Sequence, residues 1–133
     1  MGAAVTALAV TAAAAPAAAA SPAGHVTEVD VTDKPHSVVV RLSVPDLDRA
    51  ALDRVAVELK PRGRQTTFTV GRFRFDGRWG RVVLVQDDLG AVVRCRGDRV
   101  RVRAHRIVVR VPKRCLGERV RAVRVREAQV GYR

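Results

Sequence analysis

From residue 25 onward, apolar side chains recur at every second position, and few folds accept that pattern. Period-two alternation sends successive side chains to opposite faces of a strand. Val38, Val40, Leu42 and Val44 alternate with Val39, Arg41 and Ser43, and Val55, Val57 and Leu59 with Ala56, Glu58 and Lys60. Val100, Val102 and Ala104 alternate with Arg99, Arg101 and Arg103, and Ile107, Val109 and Val111 with Val108 and Arg110. Shorter runs carry Val29 and Val31, then Val123 and Val125 against Arg124 and Arg126. One apolar and one solvated face per strand is the mark of antiparallel sheets.

Turn residues separate these runs at Pro61-Arg62-Gly63-Arg64, Asp76-Gly77, Asp87-Asp88-Leu89-Gly90, Gly97-Asp98 and Ala104-His105-Arg106. Two segments predict short helical turns: Pro45–Asp53, capped by Asp46 or Asp48, and Pro112–Leu116, closed by Gly117. A single sheet of this length would leave its apolar face wet, so two sheets must stack. The expected fold is all-β: a two-sheet antiparallel β-sandwich of about seven to eight strands, with one disulfide and at most short helical turns. An immunoglobulin-type sandwich expects its Trp between the two cysteines, whereas Trp79 precedes both Cys95 and Cys115.

The amino terminus is of another kind. Residues 2–24 carry no charge and include thirteen Ala, with Pro16 breaking the run and Ala18-Ala19-Ala20 forming a small-residue site before Ser21. This order predicts a secretory signal peptide over 1–20, although no Lys or Arg precedes it. A flexible lead-in over 21–25 and a β-sandwich domain over 26–133 then follow, with no transmembrane segment in the mature chain. The expected location is secreted or associated with the cell envelope. Export would place Cys95 and Cys115 where a disulfide persists, and closing that loop stabilises the fold by about 3 kcal/mol.

Few residues offer chemistry. His25, His36 and His105 are the histidines, and no Gly-x-Ser-x-Gly elbow anchors a triad with them. Neither cysteine has metal-ligand neighbours in sequence. Asp46, Asp48 and Asp53 share one loop but lack calcium-loop spacing, so capping explains them more simply. Arg96-Gly97-Asp98 spells a cell-adhesion tripeptide, a match that an Arg- and Gly-rich chain produces by chance. No enzyme, cofactor or metal is expected.

Two features suggest binding instead. A two-residue type I′ turn at Asp76-Gly77 would pair Phe75 with Arg78 and Arg74 with Trp79. Phe73 and Phe75 would then share a core face with Val82 and Leu84. Trp79 would fall on the opposite face beside Arg72, Arg74 and Arg81, where an indole among guanidiniums is favourable and offers a platform for a glycan or small ligand. A longer loop would shift this register and bury the Trp. The second feature is charge. The chain carries 25 Lys+Arg against 13 Asp+Glu, and residues 94–133 alone hold fourteen bases and three acids. Arg94, Arg96, Arg99, Arg101, Arg103, Arg110, Arg124 and Arg126 are the candidates for a basic sheet face that attracts anionic envelope polymers or other polyanions. Aromatics are absent between Gly80 and Gly131, so no specific nucleic-acid motif is present. A solvated Arg face that discourages edge aggregation is the alternative.

Three segments carry a resemblance: Val93-Arg94-Cys95-Arg96-Gly97, then Arg106 to Gly117 with its Pro112-Lys113-Arg114-Cys115-Leu116-Gly117 ending, then Arg121 to Val125. Together with the opening Asp30-Val31-Thr32, they resemble a group of small secreted proteins of high-GC Gram-positive bacteria. The resemblance implies secretion, a β-sandwich and the Cys95–Cys115 bridge, and brings no catalytic or ligand residues. The chain departs from it at Val120 and Ala122, where an aromatic is expected.

Overall fold

The computed structural model describes residues 24–133. The expected signal peptide and residues 21–23 of the lead-in lie outside the described residues. Ten strands follow in order: β1 Glu28–Asp33, β2 Ser37–Ser43, β3 Leu52–Pro61, β4 Phe68–Phe75, β5 Arg78–Trp79, β6 Val83–Gln86, β7 Ala91–Val93, β8 Arg99–Val102, β9 Arg106–Pro112 and β10 Val123–Tyr132. One 3₁₀ turn, Lys113–Leu116, separates β9 from β10 and ends at Gly117, as expected. The helical turns expected over Pro45–Asp53 do not form: Pro45–Ala51 holds turns and irregular chain, and Leu52 and Asp53 already belong to β3. Asp48 Oδ1 accepts from the amides of Ala50 and Ala51 at 3.1 and 3.3 Å, and the chain enters β3 immediately afterwards.

Two antiparallel sheets result. The four-stranded sheet has the order β1-β2-β9-β8, and the six-stranded sheet the order β10-β3-β4-β6-β7 with β5 paired to β4. The expected sandwich is therefore present, with ten strands because β5 and β7 are only two and three residues long. Alternation chooses the buried faces. Val38, Val40, Leu42, Val100, Ile107, Val109 and Val111 come from the four-stranded sheet, and Leu52, Val55, Val57, Leu59, Phe68, Val70, Leu84, Val123 and Val130 from the other. Full burial of each Val or Leu side chain contributes about 1.5–3 kcal/mol, offset by the entropy of ordering the chain.

The Asp76-Gly77 hairpin has the expected register but not the expected faces. Both turn residues have positive φ, 51° and 77°, and Phe75 pairs with Arg78 and Arg74 with Trp79. The Gly80 amide donates to the Phe73 carbonyl at 2.9 Å, whereas Gly71 pairs with Val83. Two residues, Arg81 and Val82, thus oppose the single residue Arg72. This bulge shifts the pairing by one and exchanges the faces. Val70 and Leu84 lie opposite each other in the core, with Arg72, Arg74 and Trp79 continuing that inner face. Phe73 and Phe75 turn outward instead of joining Leu84 in the core. Phe75 is 71% exposed, and the Phe73 ring covers Gly71, where an added Cβ would sit 3.2 Å from it.

A second bulge extends the last strand. Its register slips between Val125 and Glu127, with Arg126 the extra residue, and the inward set passes from Val123 and Val125 to Ala128 and Val130. The first described residues dock on this strand. The Gly24 amide donates to the Val130 carbonyl at 2.8 Å, and His25 reaches Asp46 at 3.2 Å, so the last two residues of the expected flexible lead-in are anchored. Lys113 closes one end of the sandwich. It is only 6% exposed, and its ammonium contacts the Asp33 carboxylate and the Arg121 carbonyl.

Candidate functional site

The outward residues of the four-stranded sheet form three rows across the strands. Glu28 on β1 faces Ser43, which faces Arg106; Asp30 faces Arg41, then Val108, then Arg101; Thr32 faces Val39, then Arg110, then Arg99. Each row is polar or acidic at the β1 edge and basic toward β8. A tight link between β8 and β9, with the Arg103 amide donating to the Arg106 carbonyl at 2.7 Å, adds Arg103 to the basic end. Arg41 is engaged by Asp30 at 3.9 Å and donates to Thr32 at 2.9 Å. The other ion pairs among the described residues are His25–Asp46 and Lys113–Asp33, so none uses Arg99, Arg101, Arg103, Arg106 or Arg110. Val39 lies on this face yet is only 5% exposed, flanked in its row by Thr32 and Arg110. Long arginine stems lying along a sheet cover apolar neighbours in this way.

Beside this face lies the disulfide. Cys95 and Cys115 are joined with their Cα atoms 5.5 Å apart, tying the β7–β8 crossing to the 3₁₀ turn. Arg94, Arg96 and Arg114 are exposed around it. Arg114 Nη2 donates to the Arg96 carbonyl at 2.8 Å, and Arg110 Nη1 donates to the Gly97 carbonyl at 3.2 Å. An open groove of about 690 Å³ runs alongside, lined by Val82, Val83, Val92 and Val93 with Arg81, Arg94 and Asp98. Partial burial raises the Asp98 pKa above the usual aspartate value.

The eight candidate arginines do not share one face. Arg99, Arg101 and Arg110 do, with Arg103 at the adjoining turn. Arg94 and Arg96 are on the disulfide loop. Arg124 belongs to the other sheet, opposite Lys60, and Arg126 is the extra residue of the β10 bulge. The expectation of a single C-terminal Arg face is corrected accordingly, because β10 returns to the six-stranded sheet. Arg41 and Arg106 were missed as members. Their signal was available in the alternation, since each flanks an inward residue of β2 or β9.

Comparison with known protein families, with curated proteins and with solved structures finds no match to this chain.

Trp79 sits at the rim of the interior. It is half-buried and packs against the core, with Arg74 Cζ 4.8 Å and Arg72 Cζ 5.6 Å from its ring centre. Both guanidiniums also donate to backbone carbonyls, while the buried Arg74 Nε has no hydrogen-bond partner. Arg72 donates to Gly80 at 2.8 Å and across to Val100 of the other sheet at 3.3 Å, and Arg74 to Ala50 and Arg49 at 3.0 and 3.2 Å. Cation–π contact and these bonds together seal the inter-sheet edge. Arg81 lies apart from this stack, on the groove.

His25 is the described histidine within reach of a carboxylate, Asp46, and both side chains stand in solvent. That hydrogen bond holds the Asp46 carboxyl below its usual pKa. Among the described residues no three His, Cys, Asp or Glu side chains gather as a metal site, and no helix is long and apolar enough to cross a membrane.

Proposed function

We propose that this is an exported, non-catalytic β-sandwich that associates with anionic polymers of the cell envelope through the β8–β9 end of its four-stranded sheet. The observation that carries the reading is the set of five arginines, Arg99, Arg101, Arg103, Arg106 and Arg110, gathered there without an acidic partner among the described residues. Alternate residues of a strand are ~6.8 Å apart and neighbouring strands ~4.8 Å apart. The guanidinium rows therefore suit a chain that repeats a negative group every ~5–7 Å. Concentrating unpaired cations on one face costs self-repulsion, which a bound polyanion relieves.

Retention on a phosphate-bearing resin tests this. Each neutralised phosphate contributes about 0.7–0.9 to the slope of log affinity against log salt, so four or five contacts give a slope of about −3 to −4. Replacing Arg99, Arg101 and Arg103 with Ser leaves one or two contacts and reduces it to about −1 to −2. Retention that is absent, or insensitive to salt, overturns the reading.

A further inference from the structure

We infer that Arg110 and Arg114, held against Gly97 beside the disulfide, form a discrete subsite for a tetrahedral oxyanion, the phosphate group of a phosphorylated polymer. The occupant rests on the polyanion reading above, but the site is defined by its own geometry. Each guanidinium is fixed by one donor to the loop backbone, Arg110 to the Gly97 carbonyl and Arg114 to the Arg96 carbonyl. Their other donors have no acidic partner among the described residues, and Asp98, next to Gly97 in the chain, makes no ion pair with either. A Cβ added at Gly97 would lie 3.4 Å from Pro112 Cγ, 3.8 Å from Arg110 Nη1 and 3.9 Å from Arg114 Nη2, so both guanidiniums border the same point beside the Pro112 ring. Gly97 also has φ +90°, a conformation that other residues adopt with strain.

Arg99 stands directly opposite Arg110 across the β8–β9 pair. Like charges placed opposite one another repel, and an anion between them reverses the sign of that contact. A planar carboxylate offers two oxygens and satisfies one guanidinium fork. A phosphate group offers three or more and satisfies two at once. One backbone bond already restrains each guanidinium, which lowers the ordering cost of binding. The Cys95–Cys115 bridge contributes by joining the chain segments that carry Arg96 and Arg114.

The test is an NMR titration of the full chain with inorganic phosphate and, separately, with acetate at matched ionic strength. The Gly97 amide and the Arg110 and Arg114 side-chain Nε–H signals should move together with one Kd, and acetate should need at least tenfold higher concentration. Arg114→Lys keeps the charge but removes the fork, so phosphate affinity should fall about tenfold while resin retention changes less than twofold. Arg114→Gln, which also removes the fork, provides the same comparison where Arg114→Lys has a lowered Tm. Shifts spread evenly over Arg101, Arg103 and Arg124, or equal responses to acetate and phosphate, overturn the subsite. Resin retention without a Gly97 response removes the subsite and leaves the polyanion reading. A Gly97 response without retention does the reverse.

Discussion

Replacing Lys113 with Met should be among the most damaging single changes outside the apolar core. The ammonium is almost completely buried, whereas the Asp33 carboxylate that it contacts is one-third exposed. Asp33 Oδ2 also accepts the Val123 amide at 3.2 Å, so the cluster joins the end of β1 in one sheet to the start of β10 in the other. Breaking a buried pair by removing one partner costs about 3–5 kcal/mol. Asp33 can partly rehydrate and keeps the Val123 amide, which brings the expected loss to about 2–3 kcal/mol. For a domain of this size that lowers Tm by roughly 9–13 °C. Thermal unfolding followed by far-ultraviolet circular dichroism at pH 7, with the disulfide intact, measures it. Asp33→Asn should be worse, because it leaves the buried ammonium without a counter-charge. The double variant Lys113→Met, Asp33→Asn should recover part of the loss. A Lys113→Met protein melting within about 2 °C of the parent, or a double variant as unstable as the two single losses added together, refutes the reasoning.

Removing the disulfide with Cys95→Ser and Cys115→Ser should cost about 3 kcal/mol, read from urea unfolding midpoints with and without reductant. Asp98→Asn should raise stability at pH 7. The folded state holds Asp98 above its unfolded pKa, so ionisation penalises folding at neutral pH and the difference should vanish below the ordinary aspartate pKa; pH-dependent melting of both proteins checks the sign. Trp79 is the chain's single Trp. Acrylamide should quench it to a degree intermediate between a buried and a free indole, and more strongly after Arg74→Ala removes the covering guanidinium.

Most of the architecture was legible as alternation. The inward sets of β2, β3, β8 and β9 follow the valine periodicity, and Asp76-Gly77 specified its own register through the two positive φ angles that a type I′ turn requires. What escaped were the bulges, two of which decide where the assigned residues face. A bulge adds one residue on one side of a pair, with no composition of its own, and exchanges every face beyond it. Arg81-Val82 opposite Arg72 sent Trp79 inward and the two phenylalanines outward. Arg126 changed the parity of β10, which is why the alternation fades before Ala128 and Val130. The candidate site was legible as a charge density and not as a surface. Local sequence does not reveal that β10 leaves the basic sheet, or that Arg41 joins it from far upstream.

The most direct measurement compares two variants with equal charge loss. Arg99, Arg101 and Arg103 are replaced by Ser in one, and Arg121, Arg124 and Arg126 in the other, and the salt dependence of affinity for a phosphate polymer is measured for both. The basic sheet face predicts that the first variant loses more than half of the slope, falling to about −1 to −2, while the second stays near the parent value of about −3 to −4. Equal losses from both variants would mean that net charge alone governs association, and would contradict the account.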